Sequence, residues 1–310
     1  MRAPSLAKLA AAFVGLLILV SAVTLPYSLR WYNVQEFDRA VRQPPSWSPV
    51  LPLEIYAPDS DSFATRIAHR AASWLGHDDL GRSLLYRLLP GFLVSLGIGG
   101  AAATMAMFIG VLWGASAALL GGRTDQLMMR IVDVLYGLPY ILMVILLKVA
   151  LTKPLTALLG GYTRAADLVV LLVAIGGVSW LTMARVIRGQ VLSLRSMTFV
   201  EAARAAGASH ARILTRHLIP NLIGPMTVYA TLAVPQAILQ ESFLSFLGIG
   251  VQAPTPSLGR LAADGVHAVN TFVGFWWLLV FPCGLLVLTL LALNFIGDGL
   301  RDRFDPKSPV

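Results

Sequence analysis

The sequence predicts an all-α integral membrane protein with about six transmembrane helices. Of its 310 residues, 56% are hydrophobic and only 13% are charged, whereas a soluble domain carries about 25% charged residues. The mean hydropathy is +0.72. The apolar residues are gathered in separate runs, several of them long enough to cross about 30 Å of hydrocarbon. The single cysteine, Cys283, lies inside one of these runs and excludes an internal disulfide.

The first apolar run, 9–25, follows Arg2 and Lys8. It is either a retained span or a signal peptide, because the small residues at Val20-Ser21-Ala22 suit a signal peptidase. Both alternatives place the next segment outside the cell membrane. The third run carries Asp133 and Lys148, which are expected near its opposite ends. The five further runs are 92–120, 131–151, 168–184, 221–240 and 276–296.

These runs divide the chain into four parts. Residues 1–29 hold the N-terminal end and the first span, 30–90 form a proline-rich polar segment, 91–300 hold five helices with a loop at 186–220, and 301–310 form a tail. Lys and Arg collect on the cytoplasmic side of spans. We therefore expect a multi-pass protein of the bacterial inner membrane with both termini and the 186–220 loop in the cytoplasm, and 30–90 in the periplasm. The arginines of this loop are Arg188, Arg195, Arg204, Arg212 and Arg216, with Arg185 just before it.

The stretch 201–225 is polar, basic and rich in alanine. Alanine and arginine favour a short helix at 199–206, and Gly207 is expected to end it, because glycine accepts a left-handed cap. Ser209 caps a second helix through Leu218, and Pro220 marks the entry to the next span. The small side chains of the first helix allow a close approach by a partner.

This stretch resembles the EAA loop of ABC-importer permeases. Glu201, Ala202, Ala203, Gly207 and Pro220 match that loop in residue type and spacing. The first position of its Ile-x-Leu-Pro-like end is occupied here by a histidine. The resemblance implies that these five residues couple the chain to an ATPase subunit, whose cleft receives the loop in that family.

Two further stretches extend the likeness to about residues 74–306. The first is Leu-Gly-His-Asp-Asp-Leu-Gly-Arg at 75–82, where His77 and Ser83 depart from the related pattern. The second is Glu-Ser-Phe-Leu-Ser-Phe-Leu-Gly-Ile-Gly at 241–250. Together they resemble the second permease subunit of dipeptide, oligopeptide and nickel ABC importers, which implies a type I importer fold.

The resemblance also implies partners: a sister permease in a heterodimer, two cytoplasmic ATPases that bind the ATP, and a periplasmic solute-binding protein. The expected function is to form half of the pathway for peptides across the bilayer. Nickel or another small solute is the alternative within transport, and a membrane scaffold without transport is the alternative outside it.

Two acidic positions leave alternatives open. Glu241, with Ser242 and Ser245, either lines the outer gate of the pathway or fixes the loop that follows the fifth span. Asp78 and Asp79 form either a structural turn before a helix or part of a metal or acid–base site.

Enzyme chemistry has no support in the sequence. There is no Gly-x4-Gly-Lys-Ser/Thr phosphate loop, no Gly-x-Ser-x-Gly elbow around the candidate nucleophiles Ser179, Ser193 and Ser242, and no zinc-spaced Cys/His set. The net charge of +8 would suggest nucleic acid or acidic lipid as a partner of a soluble chain. Here it follows from arginine-rich loops, so we expect no catalytic residue, bound cofactor, metal site or nucleic-acid partner.

Overall fold

The computed structural model describes residues 3–35, 42–47, 73–161, 163–269 and 274–304. The described residues form no β-strand, and His77 and Ser83 make one isolated antiparallel bridge. A π-helical turn, Leu214–Leu218, leads from a short helix, His210–Ile213, into a long helix, Ile219–Phe246. The helices are α1 (Ala3–Trp31), α2 (Leu84–Leu120), α3 (Gly122–Tyr136), α4 (Tyr140–Leu158), α5 (Thr163–Arg195), α6 (Thr198–Ala205), α7 (His210–Ile213), α8 (Ile219–Phe246), α9 (Leu258–Ala268) and α10 (Trp277–Phe304).

Six helical stretches among the described residues are long and apolar enough to span a membrane, which confirms the predicted fold class. They are Leu6–Trp31, Leu84–Leu120, Tyr140–Leu158, Ala166–Arg195, Leu214–Phe246 and Trp277–Arg303. Each of the four longest exceeds the corresponding apolar run of the sequence. The helices therefore extend beyond the apolar runs and include the flanking residues at their amphipathic ends.

The prediction of one span over 131–151 is wrong. α3 ends at Tyr136, and Pro139 adopts an extended conformation with φ −56° and ψ 124° directly before α4. Proline has no N–H to donate and disfavours helical backbone in the residue before it, so the helix stops and restarts. Asp133 consequently lies on α3, outside the spans, and Lys148 lies in the middle of α4 rather than near its end. Helical backbone resumes at Gly122, directly after the end of α2.

One compact unit comprises residues 1–10, 98–238 and 293–310. Within it, α2 and α5 cross at close range because Gly110 and Gly114 present no side chain. A Cβ at Gly110 would collide with Met183, and one at Gly114 with the carbonyl of Ala184. Two glycines four residues apart allow this close packing of helices in lipid.

The second unit comprises residues 11–97 and 239–292. Its core joins Leu84, Leu88 and Phe92 of α2 to the apolar faces of α9 and α10. α9 packs closely on α10 because Gly265 has no Cβ, which would otherwise overlap the carbonyl of Leu278. These residues bury the first turns of α2 in protein.

Candidate functional site

The loop between α5 and α8 contains the expected short helix, α6. Glu201 and Ala202 are exposed on it, Ala203 is half-buried, and Val200 is fully buried. Glu201 lies in the first turn, where a carboxylate interacts favourably with the helix dipole. The helix therefore presents a small-residue face to its surroundings and is attached through the opposite face.

Gly207 ends α6 with φ +77°. The N–H of Ala208 donates to the carbonyl of Ala203 at 3.0 Å, and the N–H of Gly207 donates to the carbonyl of Arg204 at 3.0 Å. This pair of bonds is a Schellman motif, whose left-handed residue is usually glycine because no Cβ clashes there. A Cβ built on Gly207 meets no atom within 4 Å, so the need for glycine is conformational and not steric.

The second helix of the loop begins as predicted but does not stop before the span. The Ser209 hydroxyl accepts a hydrogen bond from the N–H of Arg212 at 3.3 Å. α7 then passes through the π turn into α8 without a gap, so Pro220 lies in the first turn of α8. The π turn ends two residues before Pro220, which has no N–H for the helical ladder. The Asn221 side chain donates to the carbonyl of His217 at 2.6 Å.

Apolar packing attaches this loop to two spans. Val200, Ile213 and Leu218 are buried in one cluster with side chains from the ends of α2 and α5, including Leu119 and Val191. Arg195 at the end of α5 also donates to the carbonyl of Ala118 on α2, at 2.9 Å. The loop that carries α6 is therefore held against α2 and α5 by buried contacts.

Two ion pairs that the sequence analysis missed join α3 to α5. Arg188 forms a bidentate pair with Asp125, with both N–O distances at 2.6 Å. The hydrogen bonds from Arg188 hold the pKa of the Asp125 carboxyl below its usual value. Arg185 contacts Asp133 at 2.8 Å and stacks over the ring of Tyr136 at 4.0 Å. The sequence shows these arginines and aspartates near the ends of apolar runs, but it does not show which of them pair.

Glu241 lies at the far end of α8 and is fully buried. The hydroxyl of Ser95 on α2 donates to Oε2 at 2.9 Å, and the hydroxyl of Ser245 donates to Oε1 at 2.7 Å. Ser242 is 3.5 Å from Oε2. Ser257, the N-cap of α9, is a further hydroxyl partner. One carboxyl group therefore links α2, α8 and α9 within the second unit.

Two of these serines also accept hydrogen bonds from the backbone. The Ser95 hydroxyl oxygen accepts from the N–H of Leu258 at 3.0 Å, and that of Ser245 accepts from the N–H of Val251 at 3.0 Å. Each of these two hydroxyls therefore bridges a backbone N–H group and the Glu241 carboxyl. This arrangement holds the irregular chain between α8 and α9, and it buries Ser242 and Ser245 together with the carboxyl. Sequence reasoning missed Ser95, which lies inside an apolar run.

Asp78 makes the predicted turn and helix start. Its Oδ1 accepts from the N–H groups of Leu80 and Arg82, both at 2.9 Å. Its Oδ2 contacts the Arg82 side chain at 2.8 Å and Arg87 Nη1 at 2.6 Å. Arg87 is 2% exposed and also reaches Asp264 on α9, at 3.4 Å. This buried network accounts for Asp78 structurally, and the described residues contain no group of three or more His, Cys, Asp or Glu that could hold a metal.

The imidazole of His77 is buried beside this turn. Burial lowers the pKa of His77 from 6.5 to about 4, against an opposing effect of Asp78. His77 is therefore neutral at physiological pH.

Comparison with known proteins decides the family. Residues 106–308 match the family described as "Binding-protein-dependent transport system inner membrane component". The chain belongs to this family. The matched residues include the whole α5–α8 loop and the Glu241 stretch, while the Asp78 turn and Ser95 precede them.

Relatives of this inner membrane component are permeases. The oligopeptide transport system permease protein OppC of Bacillus subtilis is 44% identical over 234 residues, which cover 76% of this chain and 72% of that protein. The dipeptide transport system permease protein DppC of the same organism is 45% identical over 237 residues, covering 76% and 69%. This permease is thus a multi-pass membrane protein of a transport family.

A solved structure shows the same fold. The chain is similar to a chain of the MetNI methionine ABC transporter in an inward-facing conformation, with a TM-score of 0.55 and 17% identity. The match covers 72% of this permease and 98% of that chain. At this identity the likeness concerns the fold, which is that of an ABC-importer permease.

Proposed function

We propose that this permease forms half of the pathway of an ATP-driven importer that takes up peptides delivered by a periplasmic binding protein. The names of the relatives support the solute class, because they transport oligopeptides and dipeptides. A sister permease would supply the other half of the pathway in a heterodimer. Two cytoplasmic ATPases would bind the ATP, in keeping with the absence of a phosphate loop from this sequence.

The observation that carries the coupling role is the attachment of α6. Its exposed face bears Glu201 and Ala202, while Val200 on the other face is buried against the ends of α2 and α5. A partner that binds the exposed face in only one of its states can shift the conformation of the spans, because such a shift requires contacts that differ between states. In this proposal Glu201, Ala202, Ala203, Gly207 and Pro220 form the ATPase-coupling segment, with the loop and both termini cytoplasmic.

For the outer side we propose that Glu241, Ser242 and Ser245 act on the gate indirectly. Their buried hydrogen bonds hold the chain between α8 and α9 in place, and that chain would border the pathway. Ser257, the N-cap of α9, is fully buried. A crosslink to a binding protein is therefore proposed at the exposed Gln252 and not at the buried Ser257.

The test is an Ala202→Trp variant, reconstituted in proteoliposomes with the ATPases, the sister permease and the binding protein. Because Ala202 is exposed, the variant is expected to insert and assemble normally while peptide uptake and transport-stimulated ATP hydrolysis fall together. Ala157→Trp, at an exposed position near the end of α4, is the matched control. An Ala202→Trp variant that couples hydrolysis to uptake as wild type does would remove α6 from the mechanism.

The same preparation separates the solute alternatives. Uptake of labelled peptide supports the proposal, whereas uptake of nickel alone would assign the chain to the metal branch. Failure to transport any solute, with loaded binding protein and active ATPases present, would favour the scaffold alternative.

A further inference from the structure

An open recess lies between α3 and α5, within the unit that contains residues 98–238. Its volume is about 680 Å³. The lining residues are Gln126, Met129, Arg130 and Asp133 of α3 and Arg185 and Arg188 of α5. The lining of the recess is polar, whereas the adjoining surface of α3 is apolar.

The recess carries a positive charge that its own ion pairs do not cancel. Asp125 is paired with Arg188 and Asp133 with Arg185, and Arg195 also acts on Asp125 electrostatically. Arg130 is exposed and forms no ion pair with any residue that the structure describes. The three arginines that line the recess stand against Asp133 and Asp125, which leaves an excess of one positive charge.

The adjoining face of α3 is apolar and exposed. Leu127, Ile131 and Val134 are 66%, 41% and 63% exposed, and at about 100° per residue they lie within about 60° of one another on the helix. The same geometry places Arg130 between this face and the side that bears Gln126 and Asp133. The buried Val132 lies on the opposite side. A molecule that lay along α3 would thus meet apolar surface first and then the guanidinium of Arg130.

The recess also lies at the level of the lipid headgroups. The span Ala166–Arg195 has 30 residues, which makes it about 45 Å long, so it extends beyond the roughly 30 Å of hydrocarbon. Arg185 and Arg188 are the twentieth and twenty-third residues of this span, about 30 Å or more from its first residue. Basic pockets between helices at a membrane surface bind anionic headgroups.

We propose that the recess between α3 and α5 is a binding site for an anionic phospholipid, whose phosphate group lies among Arg130, Arg185 and Arg188 and whose acyl chains cover Leu127, Ile131 and Val134. The amphiphilic form of the site matches one lipid molecule. The headgroup is the only partner of Arg130, while Arg185 and Arg188 bind it and also keep their aspartate partners. The inference depends on membrane insertion and not on the solute that is transported.

The test uses the full-length chain purified in detergent and titrated with phosphatidylglycerol or with phosphatidylcholine, with bound lipid counted by native mass spectrometry. Wild type is expected to bind phosphatidylglycerol in preference to phosphatidylcholine. Arg130→Gln should weaken phosphatidylglycerol binding about fivefold, the effect of one basic residue near an anionic surface, and Arg130→Lys should restore it. Arg301→Gln, which removes an exposed arginine at the end of α10, is the matched control.

Leu127→Gln distinguishes a lipid from a free phosphate. It should weaken phospholipid binding and leave binding of inorganic phosphate unchanged. Equal binding of the two lipids by wild type, or an equal loss in the Arg301→Gln control, would overturn the proposal. So would a Leu127→Cys variant in a Cys283→Ser background that crosslinks in membranes to another protein chain, because the apolar face would then be covered by protein.

Discussion

Replacement of Gly207 tests whether the geometry at the end of α6 controls coupling. The residue has φ +77°, and its Cβ position is open, with no atom within 4 Å. Valine at this position therefore introduces backbone strain without a steric clash. The strain is relieved when the two hydrogen bonds that close the Schellman motif break, which frees the end of α6.

The magnitude follows from the conformation. A residue with a Cβ pays about 1–2 kcal/mol to adopt left-handed backbone, which lowers the ratio of capped to open α6 by about 5- to 30-fold. The core under the loop remains intact, since Val200 and Ile213 are not touched. We expect Gly207→Val to insert and assemble normally, with uptake and transport-stimulated ATP hydrolysis reduced by up to this factor. Gly207→Asn should retain most activity, because asparagine tolerates left-handed backbone.

Uptake and ATP hydrolysis are measured in parallel in proteoliposomes that contain the complete importer. Gly160 supplies a matched control, since it also has positive φ, +63°, and open space around its Cβ position, but it follows α4 and not α6. Gly160→Val should leave coupling unchanged. If Gly207→Val couples normally, or if Gly160→Val is equally impaired, the cap geometry of α6 is not the controlling feature.

Three further outcomes are expected. Asp125→Asn should lower the free energy of unfolding by about 1.5–3 kcal/mol, the usual effect of losing a charge-assisted hydrogen bond. The difference between wild type and this variant should become smaller as the pH falls below 3.8 toward the depressed pKa of Asp125. The stability of wild type should decrease as the pH falls from 6.5 to about 4, because only the unfolded chain protonates His77 in this window, and His77→Phe should flatten that part of a thermal-unfolding profile. A reporter fused after Gly121 should be cytoplasmic and one near Ser60, a position outside the described residues, periplasmic; a cytoplasmic signal at Ser60 would reverse the orientation.

The local structure of the α5–α8 loop could be predicted because its signals are local. Alanine-rich sequence, a glycine at the end of the helix and Ser209 as a cap each act within a few residues. The predicted helix at 199–206 is therefore confirmed within one residue by α6. The six spans were also predictable, because hydropathy is a property of a contiguous run.

Interactions between distant segments could not be predicted in this way. The partner of Arg188 is Asp125, which lies 63 residues earlier, and the partner of Glu241 is Ser95, which lies 146 residues earlier. Ser95 is indistinguishable by composition from any other small residue of an apolar run. The break at Pro139 was missed for a different reason. The residues on both sides of it are apolar, so the hydropathy stays high across the position where the helix ends.

The Arg188–Asp125 pair and the serines around Glu241 stabilise a carboxyl group in different ways. Arg188 pairs with Asp125 at the end of a span, where one side remains accessible to water and each charge has an opposite partner. Glu241 instead lies among serine hydroxyls, two of which also accept a hydrogen bond from a backbone N–H group. A substitution to glutamine would replace one carboxyl oxygen that accepts from a serine with an amide NH₂ group that donates, so one buried serine hydroxyl would lose its acceptor at a cost of about 1–3 kcal/mol. The same hydroxyls accept the amides of Val251 and Leu258, so this loss would extend to the chain between α8 and α9. For this reason Glu241→Gln should disorder that segment before it unfolds the second unit, and hydrogen exchange at Val251 and Leu258 would rise ahead of exchange in α10.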